Sequence, residues 1–327
     1  NDSVLTANIS SVTTLNVNND SISDLTGIED FIALTYLSCS YNQLTSLDVS
    51  ANTALTNLSC GDNQLTSLDV STNAALSILH CRTNQLTSLD VSNNTALTVL
   101  DCHYNDLTSL DVSSNTALTE LQCWNTSLTS LDVSSNTALT SLSCHHNQLT
   151  SLDVSSNTAL TDLHCSSNQI TSLDVSNNTA LTSLYCNSNQ LTYLNMKNGV
   201  TDQLTNFNAT SNDSLECIET LDPDYATANW TYENGNIDDG VTFSEICTGN
   251  PNDTYVPDDN FEQALIDLGY DDVLNDSVLT ANISGVTTLN VSNDSISDLT
   301  GIEGFTALTN LHCGYNQLPS LDVSSNT

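Results

Sequence analysis

Residues 34–54 read LTYLSCSYNQLTSLDVSANTA, and residues 55–75 read LTNLSCGDNQLTSLDVSTNAA. Further copies begin at Leu76, Leu97, Leu118, Leu139, Leu160 and Leu181, so the period is 21 residues. Eight cysteines keep the same phase: Cys39, Cys60, Cys81, Cys102, Cys123, Cys144, Cys165 and Cys186. Near-identical units at a short fixed period stack as coils of a solenoid, because one coil cannot bury its apolar face alone.

Each coil holds two similar halves. Leu55-Thr-Asn-Leu58-Ser-Cys60-Gly-Asp-Asn63 is followed by Leu65-Thr-Ser-Leu68-Asp-Val70-Ser-Thr-Asn73, and both read L-x-x-L-x-[CV]-x-x-N. The Leu-x-Cys and Leu-x-Val triplets alternate apolar and polar, as a strand with one buried face does. The pattern predicts two short strands and two turns per coil, with no room for a long helix. An Asn closing each half predicts side-chain amides that bond otherwise unpaired turn backbone. Thr126 replaces one of these Asn residues, which predicts a local irregularity. The ladder cysteines face the core in this scheme and are expected to be buried, reduced thiols.

A longer repeat lies above the short one. Residues 1–53 match residues 275–327 at 44 of 53 positions, with an offset of 274. The nine differences include Ser11/Gly285, Asp30/Gly304 and Thr45/Pro319. The expected organisation is a solenoid over 1–198 with irregular first coils, a C-terminal cap over 199–248, a polar linker at 249–254, a helical N-cap over 255–274 and the start of a second array over 275–327. In the N-cap, Asp258 or Asp259 begins a helix, Phe261, Ala264, Leu265 and Leu268 share a face, and Gly269 ends it. Cys217 and Cys247 fall off the period and flank the loop-rich cap, so they are paired as a disulfide. Closing about 31 residues stabilises by roughly 3–4 kcal/mol in the chain-entropy model and implies an oxidising, extracytoplasmic setting. The fold class expected is a mainly β solenoid with a helical N-cap and a disulfide-closed C-cap. Without an initiator Met or a signal peptide, the stretch reads as mature or internal sequence, and covalent or end-to-end continuation with copies of itself is expected.

Composition narrows the partners. Thirty-nine acidic residues face two basic ones, Arg82 and Lys197, for a net charge of -37. Nucleic acid and anionic membrane surfaces need clustered Lys and Arg and are excluded as partners. No stretch approaches the ~18 apolar residues of a membrane helix.

The coils resemble the short 21-residue bacterial leucine-rich repeats of pattern LxxLxLxxNxLxxLDLxxNxx. The helical cap VPDDNFEQALIDLG and the two-cysteine cap resemble those of secreted or surface proteins of Bacteroidetes-type bacteria. The resemblance implies a non-enzymatic, extracellular or cell-surface protein used for adhesion or display, and it names no ligand.

Variation among coils points to a candidate surface. LTSLDVS recurs almost unchanged in the second halves, whereas the first halves vary at slots around the cysteine. Those slots hold Tyr36, Tyr41, His80, Arg82, Asp101, His103, Tyr104, Trp124, His145, His146, His164 and Tyr185. Such side chains can stack on sugar rings or anchor a protein partner; drift on an unconstrained face is the alternative. A metal site at His80, Asp101 and His103 or at His145 and His146 lacks a closed ligand set, and the scattered Ser, His and Asp give no triad. A second column, Asp48, Asp69, Asp90, Asp111, Asp132, Asp153 and Asp174, is a candidate for Ca²⁺; the alternative is that Ser and turn N–H groups satisfy each carboxylate. No other cofactor is expected. Ser3, Ser21, Ser214, Ser277 and Ser295 follow Asp and precede an aliphatic residue, which resembles a short bacterial O-glycosylation consensus. The expected function is a stiff rod or fibre that displays a variable face, with carbohydrate- or protein-binding receptor and ice or mineral binding as alternatives.

Overall fold

A computed structural model describes residues 4–245, 247, 253–271, 273–274 and 276–326. The chain forms two compact units, Asn1–Phe243 and Ser244–Thr327. Each has its own apolar core.

The first unit is a β solenoid. Every regular coil contributes one three-residue strand, such as Tyr36–Ser38, Asn57–Ser59 and Ile78–His80, to a parallel sheet of ten strands. Register advances by one repeat from strand to strand, with Leu58 beside Leu79 and Leu79 beside Leu100. The Leu at each strand centre and the Cys two residues later are buried. So is the Val of each LDVS segment, and together they fill the coil interior. The eight ladder cysteines are free and buried. Burial pushes the thiols of Cys39, Cys102 and Cys165 up to about 12, which leaves them protonated and inert.

The second strand expected in each coil is a correction. Among the described residues, only Ser172–Asp174 and Tyr193–Asn195, near the C-terminal end of the array, pair on that side, with Cys217–Glu219 and Thr242–Ser244 beyond them. In the other coils Leu-Asp-Val is irregular backbone and a turn begins at the Ser. Asp48 Oδ1 accepts the Ser50 N–H at 2.9 Å, and the Asp of each following coil does the same. This local bond satisfies one turn N–H in each coil; Asp174 makes it as well and still pairs in a strand, so the bond alone does not exclude the ladder.

The Asn columns form as expected. Asn63 Nδ2 donates to Cys39 O and Cys60 O at 3.1 and 3.0 Å, and its Oδ1 accepts the Leu44 N–H at 3.0 Å. Asn73 Nδ2 donates to Val49 O and Asn52 O, and the same bonds recur along the array. Strand pairing outlasts the sequence period: Asn206–Asn208 joins the ten-stranded sheet with Leu184 opposite Phe207, a step of 23 residues. The coil geometry therefore runs past 198. In the cap, Asp222 begins a helix over Pro223–Asn229, and Trp230 packs on Phe207 with centroids 4.6 Å apart. Cys217 and Cys247 are disulfide-bonded to one another.

In the second unit, strand Asp253–Tyr255 pairs antiparallel with Ser277–Leu279. Residues 253 and 254 thus belong to a strand, not to the polar linker, whose positions 249–252 lie outside the described residues. A helix follows at Asp259–Asp267, and the Asp258 carboxylate accepts the Asn260 and Phe261 N–H groups. Phe261, Ala264 and Leu265 are buried, whereas Leu268 is 45% exposed and leaves the core face. Gly269 ends the helix at φ +78°.

Candidate functional site

The first-half strands place one variable side chain before each cysteine and another after it, both on the sheet surface away from the core. Stacking coils then brings equivalent slots side by side. From His103 onward the rings form a continuous column. His103 stacks on Trp124 with centroids 4.2 Å apart and planes 12° apart. Trp124 stacks on His145 at 4.7 Å and 12°, and His145 on His164 at 3.8 Å and 15°. Tyr185 closes the column at 5.1 Å with a tilt of 47°. Tyr104 stands edge-on to Trp124 at 4.6 Å, and His146 edge-on to His145 at 5.3 Å.

The column is half-open to solvent. Trp124, His145, His164 and Tyr185 are half-buried, and Tyr104 and His146 are exposed. His103 is only 7% exposed, so it supports the column more than it presents a surface. Burial, followed by the nearby His164, His146 and His103, holds His145 down to about 4. Burial and His146 lower His164 as well. These imidazoles are neutral at pH 7 and can stack without repulsion.

A charged node adjoins the column. Asp101 Oδ1 lies 2.5 Å from His103 Nδ1, and its Oδ2 lies 3.7 Å from an Arg82 terminal nitrogen. Arg82 Nε donates to Asp62 Oδ2 at 3.4 Å, and Arg82 Nη2 to the Tyr41 hydroxyl at 3.1 Å. Asp62 and Ser166, which bonds His164 Nε2 at 2.7 Å, are the members sequence reading missed. Asp62 occupies the slot of Tyr41 and Tyr104, one coil before Arg82, so its charge opposite an Arg was the available signal. Tyr36 and His80 lie half-buried on the same sheet, on strands Tyr36–Ser38 and Ile78–His80, away from the ring column.

Tyr41, Asp62, Tyr104 and His146 all sit at positive φ, from 51° to 57°. Left-handed backbone is costly for residues other than Gly, Asn or Asp.

The other candidates separate from this face. The seven Asp residues of the second column are exposed. Side-chain and backbone bonds from the following Ser hold Asp48, Asp69, Asp90, Asp111 and Asp132 below the usual carboxylate range. Among the described residues no group of three or more His, Cys, Asp or Glu is arranged to hold a metal ion, and no helix is long and apolar enough to cross a membrane. Of the serines, Ser21, Ser214 and Ser295 are exposed, Ser277 is half-buried in a strand, and Ser3 lies outside the described residues.

No protein-family model matches the chain. Over 73 residues, 22% of this chain, it is 47% identical to internalin J of Listeria monocytogenes; the stretch is 8% of that protein. Among solved structures, the functional domain of InlJ from Listeria monocytogenes, which includes a cysteine ladder, is similar with a TM-score of 0.62 and 34% identity, covering 98% of this chain and 67% of that one. An internalin, InlF, of the same species has a TM-score of 0.59 at 21% identity over 99% of this chain and 87% of that one. A leucine-rich repeat protein of Leptospira interrogans has a TM-score of 0.56 at 20% identity over 95% and 74%. The last two share the fold.

Proposed function

This chain belongs to the internalin-like leucine-rich repeat proteins, and we propose that its ring column is a recognition surface for a protein partner, presented outside the cell. One observation carries the choice of partner. The rings from His103 to His164 cover one another face to face, so their faces are spent within the column. What remains outward is ring edges, flanked by Tyr104, His146 and Arg82, while the Nδ1 atoms of His103 and His145 are buried. Sugar recognition by stacking needs open ring faces, whereas a protein interface is built on Trp, Tyr and Arg anchors with polar edges. At a net charge of -37 the partner surface that docks fastest is basic. The role is binding, not catalysis. Attachment or display on a cell surface and end-to-end continuation as a rod belong to the same reading, and the relatives from Listeria and Leptospira support no narrower bacterial origin.

The test is parallel selection of a random peptide library and a glycan array on the whole chain. Selected peptides are expected to carry Lys or Arg and to bind at least ten-fold more weakly when Trp124 and His145 are both replaced by Ser, with the far-ultraviolet spectrum unchanged. Glycan binding lost in the same variant, or peptide binding untouched by it, refutes the assignment.

A further inference from the structure

The chain has two basic residues, and they are placed differently. Lys197 pairs with Glu219 at 2.8 Å. Arg82 lies beside the ring column, and a gap is made for it. Among the eight slots that directly follow a ladder cysteine, Gly61 is the one glycine. A Cβ there would lie 2.9 Å from Arg82 Cγ and 3.2 Å from Arg82 O. Without it the Arg82 stem folds back across Gly61, and Nη2 reaches the Tyr41 hydroxyl, two coils away, at 3.1 Å.

This strap is held loosely. Arg82 Nε donates to Asp62 Oδ2 at 3.4 Å, and Nη1 lies 3.7 Å from Asp101 Oδ2, whereas a bond between ionised partners spans about 2.7–2.9 Å. Its shortest bond goes to the neutral Tyr41 hydroxyl, and the side chain is 39% exposed. Asp101, by contrast, is 5% exposed. Its Oδ1 lies 2.5 Å from His103 Nδ1, yet neither atom makes an aligned hydrogen bond. A carboxylate buried this far without its donors is costly. Arg82 rises from the coil between those of Asp62 and Asp101, and with its tip drawn to Tyr41 it serves neither carboxylate well.

We propose that Asp62 and Asp101 form a notch for an arginine side chain of the protein partner, and that Arg82 fills it in cis as a strap that swings aside when the partner docks. The proposal rests on the reading of this face as a surface for a basic protein. A guanidinium arriving from the solvent is not tethered to the coil between the two carboxylates, so its planar fork can align with them. The measured affinity is then reduced by the fraction of chains in which the strap is closed. Loosening Arg82 therefore strengthens binding.

The probe is N-acetyl-arginine methylamide, titrated into the full chain at fixed ionic strength and followed by nuclear magnetic resonance. Gly61→Ala displaces the Arg82 stem and Tyr41→Phe removes its acceptor, both without a change of charge. Each is expected to bind the probe at least three-fold more tightly than the unaltered chain, and Arg82→Gln at least ten-fold more tightly. Adding Asp62→Asn to Arg82→Gln should abolish the gain, and the lysine analogue of the probe should bind at least three-fold more weakly. Equal affinity in the unaltered, Gly61→Ala and Tyr41→Phe chains overturns the strap, and these two variants carry the test alone if Arg82→Gln does not fold. A gain in Arg82→Gln that survives Asp62→Asn overturns the notch, since general attraction to an acidic chain would produce it. Parity of the lysine analogue overturns the choice of arginine. The probe is too small to span the ring column, so its binding reads the notch, whereas loss of selected peptides in the Trp124, His145 double variant reads the column.

Discussion

Thr126 stands where the coils on either side have asparagine. Asn105 donates to Cys81 O and Cys102 O at 3.1 and 2.9 Å and accepts the Leu86 N–H at 3.0 Å. Asn147 repeats this with Cys123 O, Cys144 O and the Leu128 N–H. Thr126 Oγ1 lies 3.0 Å from Cys123 O and 2.6 Å from Asn147 Oδ1, and its single hydrogen serves only one of them. The irregularity the sequence predicts is therefore a loss of bonds, not of register, since Leu121 still pairs with Leu142. Thr126→Asn is expected to restore about two bonds at roughly 0.5–1.5 kcal/mol each, read as a rise in melting temperature. Asn147→Thr should cost about 1–3 kcal/mol, because buried carbonyls lose their donor. An unchanged melting temperature in both variants would show that the column contributes nothing. The left-handed positions offer a second test. Tyr104→Gly and His146→Gly remove the steric cost of positive φ while giving the unfolded chain more freedom, so stability should stay within about 1 kcal/mol even as partner binding falls. A loss of several kcal/mol would mean the two rings serve the fold, not recognition.

At the scale of the coil, the sequence made the parallel stack, the cysteine ladder and both Asn columns legible, because each follows from a strict 21-residue phase. It misjudged the second strand. Leu-x-Cys and Leu-x-Val alternate alike, yet the middle residue of the second triplet is Asp, which is depleted in strands; it weakens the strand without forbidding it, since Asp174 in that place pairs with Asn195. The ring column was legible as a set of slots but not as a stack. His145 follows its cysteine while His164 precedes the next, and only side-chain torsions decide that these two meet at 3.8 Å. The column carries a pH signature. His145 titrates at about 4 in the fold against about 6.5 unfolded, so between these values the unfolded chain binds a proton that the folded chain refuses. Stability from this ring is full above about 6.5 and declines as pH falls toward 4. A melting-temperature profile at constant ionic strength should fall across that window, and His145→Gln should flatten it; parallel profiles would dissociate His145 from the decline. The Asp column acts lower. The carboxyls of Asp48, Asp69, Asp90, Asp111 and Asp132 are held down by the following serines, so their contribution is present above about 3.9 and is lost as pH falls through the lowered values. Because each Oδ1 already accepts its own turn N–H, calcium at ~10 mM, about ten-fold above the weakest extracellular sites, is expected to act as a screening cation and to match sodium chloride of equal ionic strength. A calcium-specific rise that disappears when Asp90, Asp111 and Asp132 are changed to Asn would show that the carboxylates bridge cations.

At the scale of the whole chain, repetition governs cooperativity. Each coil of the first unit buries its Leu, Cys and Val against its neighbours, and the cap adds Phe207, Trp230 and Ile237 to the same core. The second unit gathers Val256, Phe261, Leu265 and Phe305 into a core of its own. In a solenoid, stability is a sum of coil and nearest-neighbour terms, so a short array leans on its cap more than a long one does. The second unit has one parallel strand pair, Thr288–Asn290 with Asn310–His312, where the first has a ten-stranded sheet. Two unfolding transitions are therefore expected by calorimetry, the smaller belonging to the second unit. Phe261 is fully buried with its ring 6.5 Å from that of Phe305, and Phe261→Ala leaves a cavity worth about 3–5 kcal/mol. That is a large share of the roughly 0.05–0.15 kcal/mol per residue a small domain holds, so the smaller transition should move sharply downward while the larger one stays in place. Leu121→Ala, in the middle of the long array, should cost about 2–5 kcal/mol and lower the larger transition alone. A single transition moved equally by both substitutions would show that the two cores fold as one.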